Sequence, residues 1–239
     1  MSFLFKSLFY GPVENCSFKR SYSSHSDSRH GEITWESILL DERCENGQLF
    51  SASKSAFFPR NKIGLSKQLK TLVLDLDETL VHSTSRNMGN YNHTIQVMVE
   101  GQVCIYYVYK RPHLDAFLDQ VGKWFNVCIF TASLAEYADP LVDWLDRGRN
   151  IFKSRHFRQS CIETSGSYTK DLSIISKDLS SVILLDNSPI SYLINPSNAL
   201  PITGWIDDPL DQCLLDILPF LDALRFVDDV RSILSLRML

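Results

Sequence analysis

The sequence predicts an α/β fold in which helices flank a central, mostly parallel sheet, and three apolar segments are the basis for this prediction. TLVLDL at 71–76, FNVCIF at 125–130 and SVILLD at 181–186 are rich in branched aliphatic and aromatic residues, as expected for strands covered on both faces. Helical patterns separate these segments, and this alternation is typical of parallel sheets. The chain has 239 residues, 44% of them hydrophobic, which suits one principal domain with an extension.

Residues 1–66 predict an N-terminal extension that is largely irregular or disordered. The segment is polar and serine-rich, and its first 30 residues weakly resemble a mitochondrial transit peptide that Glu14 and Asp27 interrupt. The longest apolar stretch there, FLFKSLFY, carries Lys6 and is far shorter than the roughly 20 residues of a membrane span. We therefore expect a folded domain at 67–239 and no transmembrane segment.

The elements after the first strand follow from local signals. HTIQVMVEGQVCIYYVYKRP, at 93–112, alternates around an EGQ turn and predicts a small β-hairpin insertion at about 84–110. Proline is favoured at the first helical position, so Pro112 predicts a helix that runs to about Gly122. After the second strand, SLAEYADPLVDWLDRG predicts a second helix that is kinked or restarted at Pro140.

Polar groups follow all three apolar strands, which end in DLDET, TAS and DNS. Because parallel strands bring their carboxyl ends to one edge of the sheet, these groups are expected to meet there. Two neighbouring carboxylates repel each other unless a cation or a proton shares their site. The candidate site residues are Asp75, Asp77, Thr131, Asp186 and Asn187, together with Lys170 in SYTKDLS.

Each of these motifs also has a purely structural interpretation. Thr79 and Thr131 could cap helices, Lys170 could be a solvated charge, and Asp186 with Asn187 could form an ordinary Asx turn. Their joint occurrence at three strand ends favours a functional site.

A calcium-binding loop is excluded for DLDETL. Leu80 occupies the position that requires glycine, and Arg86 occupies the position of the bidentate glutamate.

Composition excludes several other classes of site. The formal net charge of −4 provides no general attraction to nucleic acid, so no direct nucleic-acid binding is expected. The six cysteines lack CxxC spacing, which indicates reduced thiols in a reducing compartment; they are Cys16, Cys44, Cys104, Cys128, Cys161 and Cys213. Four histidines lack metal-ligand spacing and are expected to be structural; they are His82, His93, His113 and His156.

DLDETLVHS, YKRPHLDAFL, FTASLAEYADP, YTKDLS and LLDNSP resemble the motifs of the CTD-phosphatase branch of the haloacid dehalogenase superfamily, over about residues 68–236. The closing segment LLDILPFLDALRFVDDVRSIL is most similar to the Dullard-type nuclear envelope phosphatases, whereas TASLAEYADP is closer to the small CTD phosphatases. The resemblance implies a Rossmann-like sheet with the strand before Asp75 at its centre.

The resemblance also implies roles for the candidate residues. Asp75 is the expected nucleophile, and Asp77 is the expected general acid and base, which requires a proton on Asp77 near neutral pH. Thr131 and Lys170 would hold the phosphoryl oxygens. The expected cofactor is Mg²⁺, held by a side-chain oxygen of Asp75, the Asp77 carbonyl and Asn187, with Asp186 as an adjoining member of the metal site.

The implied function is Mg²⁺-dependent hydrolysis of phosphoserine or phosphothreonine in proteins. Neither long segment between the motifs contains enough helical sequence for a large cap, so an open cleft that accepts a protein loop is expected. An alternative is a catalytically silent protein-binding domain, such as a mitochondrial import receptor component. The presence of both aspartates, Lys170 and Asn187 favours the enzyme.

The resemblance further implies an apolar pocket for a substrate proline. Its expected lining is Val97, Val99, Tyr106, Leu134 and Tyr137, with Ser85 in place of the usual phenylalanine. The expected substrate is the RNA polymerase II C-terminal domain or a lipin-type protein. The Ser85 difference, a second difference at Tyr106, where the small CTD phosphatases have valine, and the Dullard-like closing segment together favour the lipin type. We expect a monomeric catalytic domain with a membrane-bound regulatory partner, in the nucleus or on the cytosolic face of the nuclear envelope and endoplasmic reticulum rather than in mitochondria.

Overall fold

A five-stranded, wholly parallel sheet forms the centre of the computed structural model, which describes residues 69–99 and 101–238. The strands are β1 Thr71–Leu74, β2 Val81–Thr84, β3 His93–Val99, β4 Gln102–Lys110, β5 Asn126–Phe130, β6 Phe152–His156, β7 Ile162–Thr164, β8 Ser167–Thr169, β9 Val182–Asp186 and β10 Ala199–Pro201. The helices are α1 Leu114–Trp124, α2 Ala135–Asp146, α3 Cys213–Asp216, α4 Leu218–Leu224 and α5 Arg231–Leu234. The extension predicted at 1–66 lies outside the described residues.

The central sheet has the order β10-β9-β1-β5-β6, with β1 in the middle. Leu74 lies opposite Ile129 of β5 and Leu185 of β9, so the three strands end at the same level. The polar residues that follow them therefore share one edge of the sheet. The predicted central parallel sheet, with the strand before Asp75 at its centre, is confirmed.

Apolar side chains of β1 alternate between the two faces of the sheet. Leu72 and Leu74 belong to the larger buried cluster, whereas Val73 belongs to a smaller cluster that also contains Phe130 and Leu184. All of these side chains are fully buried, as expected for an unbroken apolar strand that is covered on both faces. None of the helices in residues 69–99 and 101–238 has the length and apolar character needed to cross a membrane.

The insertion after β1 is a three-stranded antiparallel sheet with the order β2-β4-β3 rather than a hairpin alone. The predicted hairpin is confirmed as β3 and β4: Val99 pairs with Gln102, and Gly101 has a positive φ of 78° in the turn. β2 was not predicted, because VHST has only four residues and directly follows the polar loop after β1. The insertion therefore begins at Val81 rather than at about residue 84.

The helix predictions need two corrections. α1 begins at Leu114 instead of Pro112, because His113 has a left-handed backbone conformation with a φ of 64°. α2 continues through Pro140, so the helix is not restarted there. Between β6 and β9 the chain forms only the small β7–β8 hairpin and short 3-10 turns. Among the described residues, no helical cap covers the carboxyl edge of the sheet, as predicted.

The four described cysteines are free thiols, in agreement with the prediction of reduced cysteines. Cys128 is buried in β5, and Cys104 is partly buried in β4.

Candidate active site

Lys170 connects two of the predicted site residues at the carboxyl edge of the sheet. Its Nζ donates hydrogen bonds to Asp75 Oδ1 and to Asp186 Oδ2, each at 2.6 Å. The side chain is only 1% exposed. Burial alone would lower the pKa of Lys170, but the carboxylates of Asp186 and Asp75 hold it above its usual range. The structural alternative of a solvated lysine is therefore wrong.

Asp75 directly follows β1, and its backbone N–H still bonds to Leu185 of β9 at 3.0 Å. Both of its carboxylate oxygens have partners, since Oδ1 accepts from Lys170 and Oδ2 accepts from Thr79 Oγ1 at 2.9 Å. The same Thr79 hydroxyl lies 3.3 Å from Asn187 Oδ1. Thr79 is fully buried and therefore links the loop after β1 to the loop after β9.

Asp77 contacts the segment after β5 through both of its carboxyl oxygens. Ser133 Oγ donates to Oδ2 at 2.7 Å, and the Tyr137 hydroxyl donates to Oδ1 at 2.8 Å. Loss of hydration on burial, with repulsion from Glu78, raises the pKa of Asp77 to about 7. A carboxyl group with this pKa can hold or release a proton near neutral pH, which is the property expected of a general acid and base.

Thr131 directly follows β5 and is 1% exposed. Its Oγ1 accepts the backbone N–H of Ser133 at 3.0 Å in a local turn. The N-cap of α2 is Leu134, so Thr131 does not cap that helix as the structural interpretation suggested. A hydroxyl that accepts in this way can still donate its own proton to a phosphoryl oxygen.

Arg158 stabilises the same turn by hydrogen bonds. This residue was not identified from the sequence. Its Nε donates to the Ala132 carbonyl at 2.6 Å, and its backbone N–H donates to the Ser133 carbonyl at 3.0 Å. It comes from a segment with no recognisable strand-end signal.

Asp186 and Asn187 have different surroundings at the end of β9. Asp186 is fully buried and accepts from Lys170 and from the backbone N–H of Ser188 at 2.8 Å. Burial raises the pKa of Asp186, while Lys170 opposes this shift. Both Asp186 oxygens therefore have protein partners.

Asn187 is closely packed by the loop after β10. A Cβ added at Gly204 would lie 3.1 Å from Asn187 Nδ2. This close approach fixes the position of the amide.

The oxygen groups of Asp75 and Asn187 fit a hard cation. Both lie within reach of the one Thr79 hydroxyl, and carboxylate and amide oxygens are ligands that Mg²⁺ accepts alongside several waters. Within residues 69–99 and 101–238, no three His, Cys, Asp or Glu residues cluster as a metal site would require, so other protein oxygens and water would complete the coordination. None of the four histidines belongs to such a cluster. The residues present fit Mg²⁺ better than zinc.

The residues predicted to line a proline pocket are mainly buried. Val97, Tyr106 and Tyr137 are only 3%, 2% and 1% exposed, and the two tyrosine rings meet edge to face at 5.7 Å. Leu134 is partly buried against the same core, whereas Ser85 is exposed. The side chain of Val99 lies outside the described set. Side chains so well covered offer little surface to a ligand, and the pocket remains a prediction.

Comparison with known proteins identifies the family of this chain. Residues 70–231 match the model of the NLI interacting factor-like phosphatases. The chain is 48% identical over 182 residues to nuclear envelope morphology protein 1 of Schizosaccharomyces pombe, covering 75% of this chain and 38% of that protein. It is 48% identical over 176 residues to the CTD nuclear envelope phosphatase 1 homolog of Drosophila melanogaster, covering 70% and 72% of the two chains.

A human relative from the other predicted subgroup is equally similar. The CTD small phosphatase-like protein of Homo sapiens is 48% identical over 165 residues, covering 69% of this chain and 59% of that protein. Sequence identity therefore does not separate the two subgroups.

Among solved structures, fission yeast RNA polymerase II CTD phosphatase Fcp1 bound to beryllium fluoride matches with a TM-score of 0.51. The identity is 18%, and the match covers 71% of this chain and 54% of that one, so it shows the shared fold. The family model covers most of the described residues and includes all the predicted strand-end motifs. The chain therefore belongs to the NLI interacting factor-like phosphatase family.

Proposed function

We propose that this protein hydrolyses phosphoserine and phosphothreonine in protein substrates, with Mg²⁺, through an aspartyl-phosphate at Asp75. The observation that carries the proposal is the position of Asp75 at the end of the central strand, with one oxygen bound by buried Lys170 and the other by Thr79. A carboxylate can approach a dianionic phosphate ester only where positive charge offsets the repulsion. Lys170 supplies part of that charge.

In the first step, a carboxylate oxygen of Asp75 attacks phosphorus, and the bond from phosphorus to the substrate oxygen breaks. Asp77 gives its proton to the departing serine or threonine oxygen. The Thr131 hydroxyl and the Lys170 ammonium stabilise the phosphoryl oxygens. Bound Mg²⁺, held by Asp75, the Asp77 carbonyl and Asn187, would supply further neutralisation of phosphate charge.

In the second step, Asp77 accepts a proton from water, and the water oxygen attacks phosphorus. The bond between phosphorus and Asp75 breaks, which releases inorganic phosphate and restores both carboxyl groups. Asp186 keeps the Lys170 ammonium directed at this site through their 2.6 Å contact.

The absence of a helical cap over the carboxyl edge, among the described residues, suits a loop of protein rather than an enclosed metabolite. Exposed Ser85, in place of a phenylalanine, supports a substrate of the lipin type rather than the polymerase tail. Similarity to proteins named for the nuclear envelope supports action at that membrane. We further propose that the protein acts on the cytosolic face there or at the endoplasmic reticulum, with a membrane-bound regulatory partner.

Turnover of p-nitrophenyl phosphate tests the proposed function. The purified protein should release phosphate only with Mg²⁺, and Asp75→Asn should lower kcat by about 10³-fold or more because the nucleophile is lost. Asp119→Asn is the matched control, since Asp119 is exposed on α1 and pairs with Arg149. Unchanged turnover in Asp75→Asn would refute the mechanism.

A second measurement distinguishes the enzyme from the silent binding domain. Beryllofluoride should form an adduct on Asp75 of the wild-type protein with Mg²⁺, detectable by fluorine NMR. A binding domain without phosphoryl chemistry should form none.

A further inference from the structure

Two side-chain hydroxyls bind the carboxyl group of Asp77, one at each oxygen. Ser133 Oγ lies 2.7 Å from Oδ2, and the Tyr137 hydroxyl lies 2.8 Å from Oδ1. Ser133 lies in the turn after β5, and Tyr137 lies in the first turn of α2. Both residues are at most 3% exposed, so their positions are fixed by surrounding protein.

The Tyr137 hydroxyl has a further partner on the insertion, Ser83 Oγ of β2 at 2.6 Å. A hydroxyl can donate or accept a hydrogen bond. Tyr137 can therefore donate to Asp77 when Asp77 is a carboxylate. Because Tyr137 has a single proton to donate, Ser83 Oγ is then the donor in their contact.

We propose that Tyr137 and Ser133 are positioning residues that fix the Asp77 carboxyl group for proton transfer to the leaving oxygen, an inference that rests on the proposed function. Proton transfer requires the acid within hydrogen-bond reach of the leaving oxygen. When only one of its oxygens is bound, a carboxyl group can rotate about its terminal side-chain torsion, because the energy minima of that torsion are broad. Contacts to both oxygens restrict that rotation. This role belongs to the hydroxyl of Tyr137, whereas a pocket wall would need only its ring.

The proton balance of the step involves only these groups. As the bond from phosphorus to the substrate oxygen breaks, its electron pair stays on that oxygen, which takes the proton of Asp77. Asp77 becomes a carboxylate that accepts from Ser133 and Tyr137. Ser133 and Tyr137 keep their own protons throughout the step, and no further reactant is needed.

A comparison of substrates whose leaving groups differ in basicity distinguishes the positioning role from a general structural role. A serine alkoxide is a poor leaving group that needs the proton, whereas p-nitrophenolate departs without it. The value of kcat/KM reports the steps up to formation of the phosphoenzyme. A defect in the position of the acid should therefore lower kcat/KM for a phosphoserine peptide and spare kcat/KM for p-nitrophenyl phosphate.

The test measures both substrates with Tyr137→Phe, Ser133→Ala and the control Tyr109→Phe. Tyr137→Phe should lower kcat/KM for the peptide by roughly 10- to 100-fold, part of the 10²–10⁴ that acid–base catalysis contributes. Its kcat/KM for p-nitrophenyl phosphate should change by less than about threefold. Ser133→Ala should show the same difference between substrates. Tyr109 bonds to the backbone N–H of Met88 on the insertion, and its variant should match the wild type.

Equal losses on the two substrates, or no loss on either, would overturn the inference. Thermal unfolding identifies a variant that fails to fold, and if Tyr137→Phe fails, Ser133→Ala decides alone. A wild-type protein that hydrolyses neither substrate would refute the proposed function and the inference together. Wild-type turnover with equal losses in the variants would refute the inference and leave the proposed function standing.

Discussion

The Lys170 ammonium lies between two carboxylates in a part of the protein that water barely reaches. A buried ion pair costs hydration on both sides, so a group of this kind contributes little net stability while it is intact. Its disruption is different, because removal of the cation leaves Asp75 and Asp186 close together without a counter-charge. Lys170 therefore balances the charge of both buried carboxylates, and in the proposed mechanism it would also neutralise phosphate charge.

Lys170→Met is predicted to abolish phosphatase turnover and to lower the free energy of unfolding by about 3–5 kcal/mol, because it leaves buried carboxylates unpaired. Urea denaturation at pH 7 measures the second effect. Lys153→Met is the control, since Lys153 is exposed on β6 and should change the unfolding free energy by less than about 0.5 kcal/mol. A loss of activity with unchanged stability would show that the two carboxylates do not depend on Lys170.

The strand-end residues could be predicted from sequence because register alone brings them together. Asp75, Thr131 and Asp186 follow apolar strands of one parallel sheet, and no side-chain detail is needed to place them at one edge. The contact from Tyr137 to Asp77 could not be predicted in this way. Tyr137 occupies a core-facing position of α2, and the direction of its hydroxyl depends on how α2 packs against the insertion.

Arg111 connects three segments of the chain, including the loop after β1 that carries Asp75 and Asp77. It follows β4 and is 1% exposed. Its Nε and Nη2 bind the two carboxylate oxygens of Asp211 at 2.7 and 2.8 Å, and its Nη1 donates to the Thr79 carbonyl at 3.1 Å. The insertion, the loop after β1 and the segment before α3 are therefore tied together by one guanidinium group.

Asp211→Asn is predicted to lower the free energy of unfolding by about 3–5 kcal/mol at pH 7, because it leaves the Arg111 charge buried without a partner. Denaturant unfolding monitored by circular dichroism measures the change. Asp207→Asn is the control, since Asp207 is exposed nearby in the same segment. A loss below about 1 kcal/mol, as for an exposed ion pair, would contradict this account.

The same pair gives the stability of the protein a defined pH dependence. The hydrogen bond from Arg111 holds the pKa of Asp211 below its ordinary value of 3.8. A folded-state pKa below the unfolded one means that stabilisation is complete above pH 3.8 and is lost as the pH falls through the folded-state pKa. The difference in the free energy of unfolding between the wild type and Asp211→Asn should therefore decrease only below about pH 3.8.

Short elements account for the parts of the fold that sequence patterns missed. β10 has three residues, ALP, and β6 reads FKSRH, whose polar residues suit the edge position that it occupies. Neither segment has enough apolar residues in sequence to indicate a strand. The neighbours β5 and β9 supply the pairing that makes them strands, which is information from the tertiary structure.

At the scale of the whole molecule, the chain builds the sheet outward from β1 in two directions. β5 and β6 extend one side, and β9 and β10 extend the other. In such sheets the crevice for ligands lies at the carboxyl edge where the strand order reverses. Asp75 follows β1 and Asp186 ends β9, the two strands on either side of that reversal, and Leu74 and Leu185 are in register. Apolar segments predicted the sheet, but their order in space could not be obtained from their order in sequence.

Substrate choice is the property that depends on the whole surface around this crevice. Ser85 is exposed, and Val97, Tyr106 and Tyr137 are nearly fully covered, so little apolar surface faces a substrate proline. A phenylalanine side chain that becomes buried on binding typically contributes about 1.5–3 kcal/mol. Its absence is expected to weaken capture of the proline-rich polymerase tail.

The wild-type protein is therefore predicted to have a higher kcat/KM for a phosphorylated lipin peptide than for a phosphorylated polymerase-tail peptide, measured side by side with Mg²⁺. Ser85→Phe should raise kcat/KM for the tail peptide by about tenfold, which corresponds to about 1.4 kcal/mol of transition-state stabilisation. The lipin peptide is the internal control for that variant and should change much less. A tenfold or greater preference of the wild-type protein for the tail peptide would overturn the substrate assignment and leave the phosphatase chemistry at Asp75 unaffected.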